Sequence, residues 1–161
     1  MGIFGKIFKG PEIDQGRSED SKKKMRALFN NVVPEGDKYQ VLAAYSEDTR
    51  RFNYGLVHGS KSTFTSLIIG WKEEDPTVVV VPTVPDLSGC GDAEICRREE
   101  IKKAYRMKYP TDAFIIYPNS RKYLSISVFD WLEDDKLFIY VDQEAEMNAF
   151  AEFFKNSYAT K

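Results

Sequence analysis

Histidine and cysteine are nearly absent from this chain, one and two respectively in 161 residues. A four-ligand zinc site would have to recruit Asp86, Asp92 or Glu94 beside Cys90 and Cys96, and the gap between those cysteines is wider than that of common zinc knuckles. No metal and no cofactor are expected. Two cysteines are also too few for a secreted disulfide scaffold and fit a reducing compartment, either as independent thiols or as a pair if their loop doubles back. Long apolar runs are missing too. No stretch approaches the roughly 20 residues that span a bilayer, and the first residues lack the apolar core of a secretory leader, so a cytoplasmic setting is the expectation. Net charge is only −2, which gives no global attraction to nucleic acid. Gly-x-Ser-x-Gly, His-Glu-x-x-His and a phosphate-binding glycine loop are all lacking. The sole histidine, His58, stands at the end of an apolar strand pattern, where a packed or edge role is expected. The acidic clusters at 73–75 and 133–135 fall in turn patterns and read as solvated. No catalytic residue is assigned.

What is present is the composition of a folded domain, 42% hydrophobic and 30% charged, with a 14% aromatic share that favours sheets. Residues 1–17 read as an appendage, with 18–161 as one globular domain. The appendage sets Phe4, Ile7 and Phe8 beside lysines before the Gly10-Pro11 break. A helix is expected from Ser18 to about Asn31, capped by Ser18 or Ser21, with Met25, Leu28, Phe29 and Val32 on one face. Lys22, Lys23, Lys24 and Arg26 form a basic run on it.

Period-two alternation then predicts strands at 38–45 and 52–58, with 46–49 as the hairpin loop between them, and strands at 63–71 and 77–82 follow. The run Val78 to Val81 is apolar on both faces, so that strand is either covered on both sides or lies at a subunit contact. An irregular stretch, 85–96, follows. Residues 97–108 read as a short helix leading into extended chain, and strands return at 113–117, 122–129 and 136–141. From Asp142 a closing amphipathic helix carries Met147, Phe150, Ala151, Phe154 and Tyr158 on one face.

Four meandering strands, a connection, three more strands and a C-terminal helix resemble the order of the pleckstrin-homology-like barrel. Residues 136–158 look like that fold's last strand and capping helix, and Glu100 through Tyr123 resembles the strands before it in bacterial members of the superfamily. The resemblance implies a mostly β, α+β fold: a seven-stranded antiparallel barrel or sandwich over about 38–158, capped by the C-terminal helix, with an extra N-terminal helix. It favours a binding or scaffold role and names no ligand. The basic motif of phosphoinositide-binding members is not matched, and Glu47 and Asp48 stand where a phosphate would be repelled.

Two surfaces stand out. Arg97, Arg98, Lys102, Lys103 and Arg106 make a dense cationic segment that on a helix would align Arg98, Lys102 and Arg106 as a row facing an anion or partner. Phe4, Ile7 and Phe8, with Lys22, Lys23, Lys24 and Arg26, form a candidate membrane or partner contact. The leading expectation is a non-catalytic domain working through a protein partner or a second copy of itself, with no nucleic acid. A weak peripheral membrane contact, as a lipid-binding module, and a split-barrel flavin enzyme are the alternatives.

Overall fold

The computed structural model describes residues 13–54, 57–109, 112–119 and 123–160, and of 48–54 and 57–62 the backbone alone. Helix α1, Gln15–Val32, begins three residues before the expected start because Asp14 caps it, accepting from the Arg17 amide at 3.1 Å. Neither expected cap, Ser18 or Ser21, takes that place; Ser18 is fully buried, and its hydroxyl accepts from the Asp142 amide at 2.9 Å. A short 3₁₀ turn, Gly36–Lys38, leads to the strands.

The strands are β1 (Gln40–Tyr54), β2 (Val57–Lys72), β3 (Thr77–Thr83), β4 (Glu94–Arg97), β5 (Ile101–Met107), β6 (Ala113–Pro118) and β7 (Leu124–Val128). They form one curled antiparallel sheet, a half-barrel, in the order β4-β3-β2-β1-β7-β6-β5. The number seven agrees with the sequence reading, but two expected strands, 52–58 and 136–141, are not strands of their own, and β4 and β5 take their places. Residues 46–49 are not a loop: β1 runs straight through them, paired with 62–65. The expected strands at 52–58 and 63–71 thus become the end of β1 and the body of β2. The end of the irregular stretch supplies β4. Residues 97–108 hold only the three-residue 3₁₀ turn Arg98–Glu100 before β5. Residues 136–141 join no ladder, although Ile139 and Val141 are buried. In each case backbone pairing with a distant partner, or its lack, overrode the local pattern.

Alternation along the strands divides the core in two. Leu42, Leu67, Ile69, Trp71, Val78, Val80, Phe114, Ile116 and Ile126 face the concave side. That side is filled by helix α2, Glu144–Phe153, and its π-helical continuation, Phe154–Tyr158. Phe150 sits edge-on to both Trp71 and Phe114, with centroids 5.3 and 4.9 Å away. Ala43, Ile68, Val79 and Val81 face the opposite side, under Met25 and Phe29 of α1. Gly70 is the close point of that contact: a β-carbon there would overlap the Phe29 ring. The two-sided apolar run Val78 to Val81 is therefore covered by the chain's own helices, each residue at most 5% exposed.

Two devices hold the half-barrel in shape. Strands β4 and β5 are consecutive in the chain yet lie at opposite edges of the sheet. The chain's end bridges them: the Tyr158 hydroxyl donates to the Cys96 carbonyl at 2.8 Å, and the Thr160 amide donates to the Ala104 carbonyl at 2.7 Å. The second device is Gln143, which is buried where the β1–β7 ladder stops. Its Oε1 accepts from the Ala43 amide and its Nε2 donates to the Ala43 and Phe129 carbonyls, all at 2.8 Å. A side-chain amide here takes the place of a strand residue, satisfying backbone groups that burial would otherwise leave costly.

Candidate functional site: the projecting arm and the mouth beside it

Pairing between β1 and β7 ends at Tyr45 with Ser127, and pairing between β2 and β3 ends at Ser66 with Thr83. Beyond those points 46–54 and 57–65 continue as nine residue pairs that, among the described strands, pair only with each other. At about 3.3 Å per residue this hairpin arm extends roughly 30 Å past the sheet. Its base is fixed by aromatics. Tyr45 and Phe64 lie on the same side at 5.7 Å, and Phe138 packs on both at 4.8 and 5.4 Å. The apolar segment expected as a last strand thus buttresses the arm instead of joining the sheet.

Beside the arm's base the half-barrel is open, at the end away from Trp71 and Phe150. Leu67, Val80, Leu124 and Ile126 line a cavity of about 290 Å³ there, rimmed by Ser46, Thr65, Asp92, Glu94 and Ser125. The described rim is acidic and hydroxylic, without a cation, which is unsuited to an anionic ligand.

The cationic segment does not form the expected row. Arg97 lies 3.8 to 3.9 Å from carboxylates of Asp75, Glu99 and Glu100. Arg98 is half-buried in the 3₁₀ turn, and Lys102 is exposed where the β5–β6 register shifts between Ile101 and Lys103. Lys103 lies over the Tyr105 ring at 5.0 Å. Arg106 makes a two-pronged pair with Asp112 at 2.9 and 2.8 Å. A strand in place of a helix separates these residues, and two of the arginines are held by acids. Lys103 instead edges an aromatic ladder, Tyr105, Tyr117 and Tyr123, with successive centroids 6.4 and 5.6 Å apart. The hydrogen bond with Tyr105 pushes the Tyr117 hydroxyl above its usual range.

The basic run on α1 is likewise divided. Lys22 pairs with Glu146 at 3.1 Å, and Arg26 donates to the Gly36 and Tyr39 carbonyls at 2.8 Å each, pinning the turn after α1. Lys23 and Lys24 are exposed. Phe4, Ile7 and Phe8 lie outside the described residues, as do the side chains around His58. No described helix is long and apolar enough to cross a membrane.

The other perturbed groups have structural causes. Arg106 holds the Asp112 carboxyl below its ordinary value, Arg17 does the same to Asp135, and Ser88 to Asp86. Glu35 raises Lys38, and burial raises Tyr158, whose hydroxyl is already committed to Cys96. Cys90 is half-buried and Cys96 buried, and neither is in a disulfide.

The arm escaped the sequence reading because Ser46-Glu47-Asp48-Thr49 is polar enough to pass for a turn. One signal was available: Gly55 opens a two-residue gap between Tyr54 and Val57, the Gly-x pattern of a tight hairpin.

Together these features define a curled antiparallel half-barrel filled by its C-terminal helix, backed by a second helix and carrying a long two-stranded arm. No family model, no curated protein and no solved structure matches the chain.

Proposed function

We propose that this chain is a non-catalytic binding domain of pleckstrin-homology-like architecture that works through protein contact, with the β1–β2 arm as its contact element. The observation that carries the reading is the arm. A two-stranded ribbon is marginally stable alone in water, and strand edges of this length are normally shortened, covered or paired. A nine-pair ribbon beyond the last flanking strand is what strand addition requires, the partner supplying main-chain hydrogen bonds along the edge. The order of four strands, three strands and a helix supports the pleckstrin-homology-like assignment, which favours binding over chemistry.

A photo-crosslinking residue in place of Thr49, expressed in the full chain in cells, tests this. Discrete adducts from position 49, and none from a control at exposed Glu133, are expected. No adduct from the arm, or equal adducts from both positions, would overturn the reading.

A further inference from the structure

We infer that the occupant of the arm's β1 edge is a second copy of this chain, paired antiparallel about a two-fold axis through Thr49. The inference rests on the contact role just proposed for the arm. It starts from hydrogen-bond phase. The Ala43 N–H and C=O both bond to Gln143, on the side of β1 away from β2, and the next outward pair, Tyr45, meets Ser127 of β7. Backbone groups alternate sides along an antiparallel strand, and the register of β1 with β2 runs without a shift from Gln40 to Tyr54. The main-chain groups of Thr49 and of its alternate neighbours therefore face the same side, where no described strand lies beyond Tyr45. Two copies of β1 satisfy each other's N–H and C=O groups in any antiparallel register that pairs odd residues with odd.

Charge then selects one register. The sequence from 47 to 51 is Glu-Asp-Thr-Arg-Arg, acidic before its midpoint and basic after it. Centring the two-fold on Thr49 sets Glu47 opposite Arg51 of the other copy and Asp48 opposite Arg50, and symmetry repeats both pairs. A shift of the axis to residue 48 sets Asp48 against its own copy, and a shift to 50 sets Arg50 against its own copy. Opposite charges directly across a pair of strands stabilise it and like charges destabilise it, so the Thr49 axis is preferred over both neighbours. The pairing extends from Ser46 to Phe52, since Tyr45 is already matched to Ser127. The contact is isologous and closes at two copies, which blocks the edge against further addition.

The test is sedimentation velocity of the full chain across micromolar to millimolar concentration, with three charge variants. Wild type is expected to dimerise, more weakly as salt rises. The basic-to-acidic variant R50E/R51E and the acidic-to-basic variant E47R/D48R each place like charges opposite themselves, and each dimer constant should weaken by at least about tenfold. An equimolar mixture of these two variants should form a heterodimer, and the four-fold swap E47R/D48R/R50E/R51E, which preserves the symmetry of the pattern, should regain wild-type dimerisation. Recovery in the mixture also shows that neither variant failed through misfolding. A wild-type dimer indifferent to charge reversal, or a mixture that does not recover, overturns the Thr49 register while leaving protein contact through the arm standing. A monomer at every concentration overturns self-pairing, and arm adducts above a foreign protein's mass would then assign the edge to a different partner. Absence of both dimer and arm adducts removes the contact reading itself.

Discussion

Gln143 is the residue on which the sheet's continuity depends. Leucine at this position would fill the space but leave the Ala43 amide and two carbonyls without partners in a buried site. At about 1–3 kcal/mol per unsatisfied group, Gln143→Leu should cost at least about 3 kcal/mol in urea denaturation. Gln143→Glu should cost more, because it keeps the acceptor for Ala43 and sets a carboxylate against the two carbonyls. Gly70 offers a sharper test of packing. Gly70→Ala should destabilise by about 1–3 kcal/mol, since the added methyl must displace the Phe29 ring. In the Phe29→Ala background, where the space is vacated, the same change should be nearly neutral or stabilising; additive effects in that double-mutant cycle would show that the ring moves freely. Neither dependence is visible in sequence. Gln143 reads as a polar residue before a helix, and Gly70 as an interruption in an apolar strand. The thiols divide in the same way: Cys90 should react with a thiol reagent in the native protein and Cys96 only on unfolding, as their burial requires.

At the scale of elements, the arginine–aspartate pair linking β5 to the residue before β6 gives a defined pH dependence. Arg106 holds Asp112 below 3.8, its ordinary value, so the carboxylate is favoured in the folded state. The contribution is fully present above the unfolded pKa and is lost as pH falls through the folded one, which places the loss below 3.8. Arg106→Gln should return the Asp112 titration, followed by carboxyl NMR, towards its ordinary value. The pair is partly exposed, so its effect on overall stability is small. A larger effect is expected at the C-terminus. Removing residues 157–161 deletes Tyr158 and Thr160, the two groups that span β4 and β5, and uncovers Cys96 and Ala104. Such a truncation should lower the melting temperature by well over 5 °C, a shift of the size that about 2–3 kcal/mol produces in a domain of 150–250 residues. Tyr158→Phe should recover most of that loss, because it keeps the buried ring and gives up one hydrogen bond.

For the whole molecule, pairing through the arm predicts a melting temperature that rises with protein concentration, by mass action, and falls with salt; R50E/R51E should show neither trend. The apolar strand faces do not call for an additional subunit contact. Val78 to Val81 suggested one, but α1 and α2 bury that strand from opposite sides. The pairing proposed for the arm would instead run along a ribbon edge, through backbone and charge more than through apolar area.

The sequence by itself determined the elements whose signal is local: α1 and α2 from their 3.6-residue stripes, and β3, β6 and β7 from short apolar runs. Even there the ends moved, as Asp14 took the cap expected at Ser18 or Ser21. Tertiary structure decided everything that depends on a distant partner. Residues 46–49 became strand because 62–65 lie across from them, and 94–97 because β3 presents an edge. Residues 136–141 did not pair, although 137–141 form an apolar run, because burying Ile139 and Val141 and stacking Phe138 under the arm uses their apolar side chains without a ladder. Periodicity reports which side of a segment is apolar. Which backbone lies alongside it is a property of the assembled sheet, and the arm exists where, among the described strands, two pair only with each other.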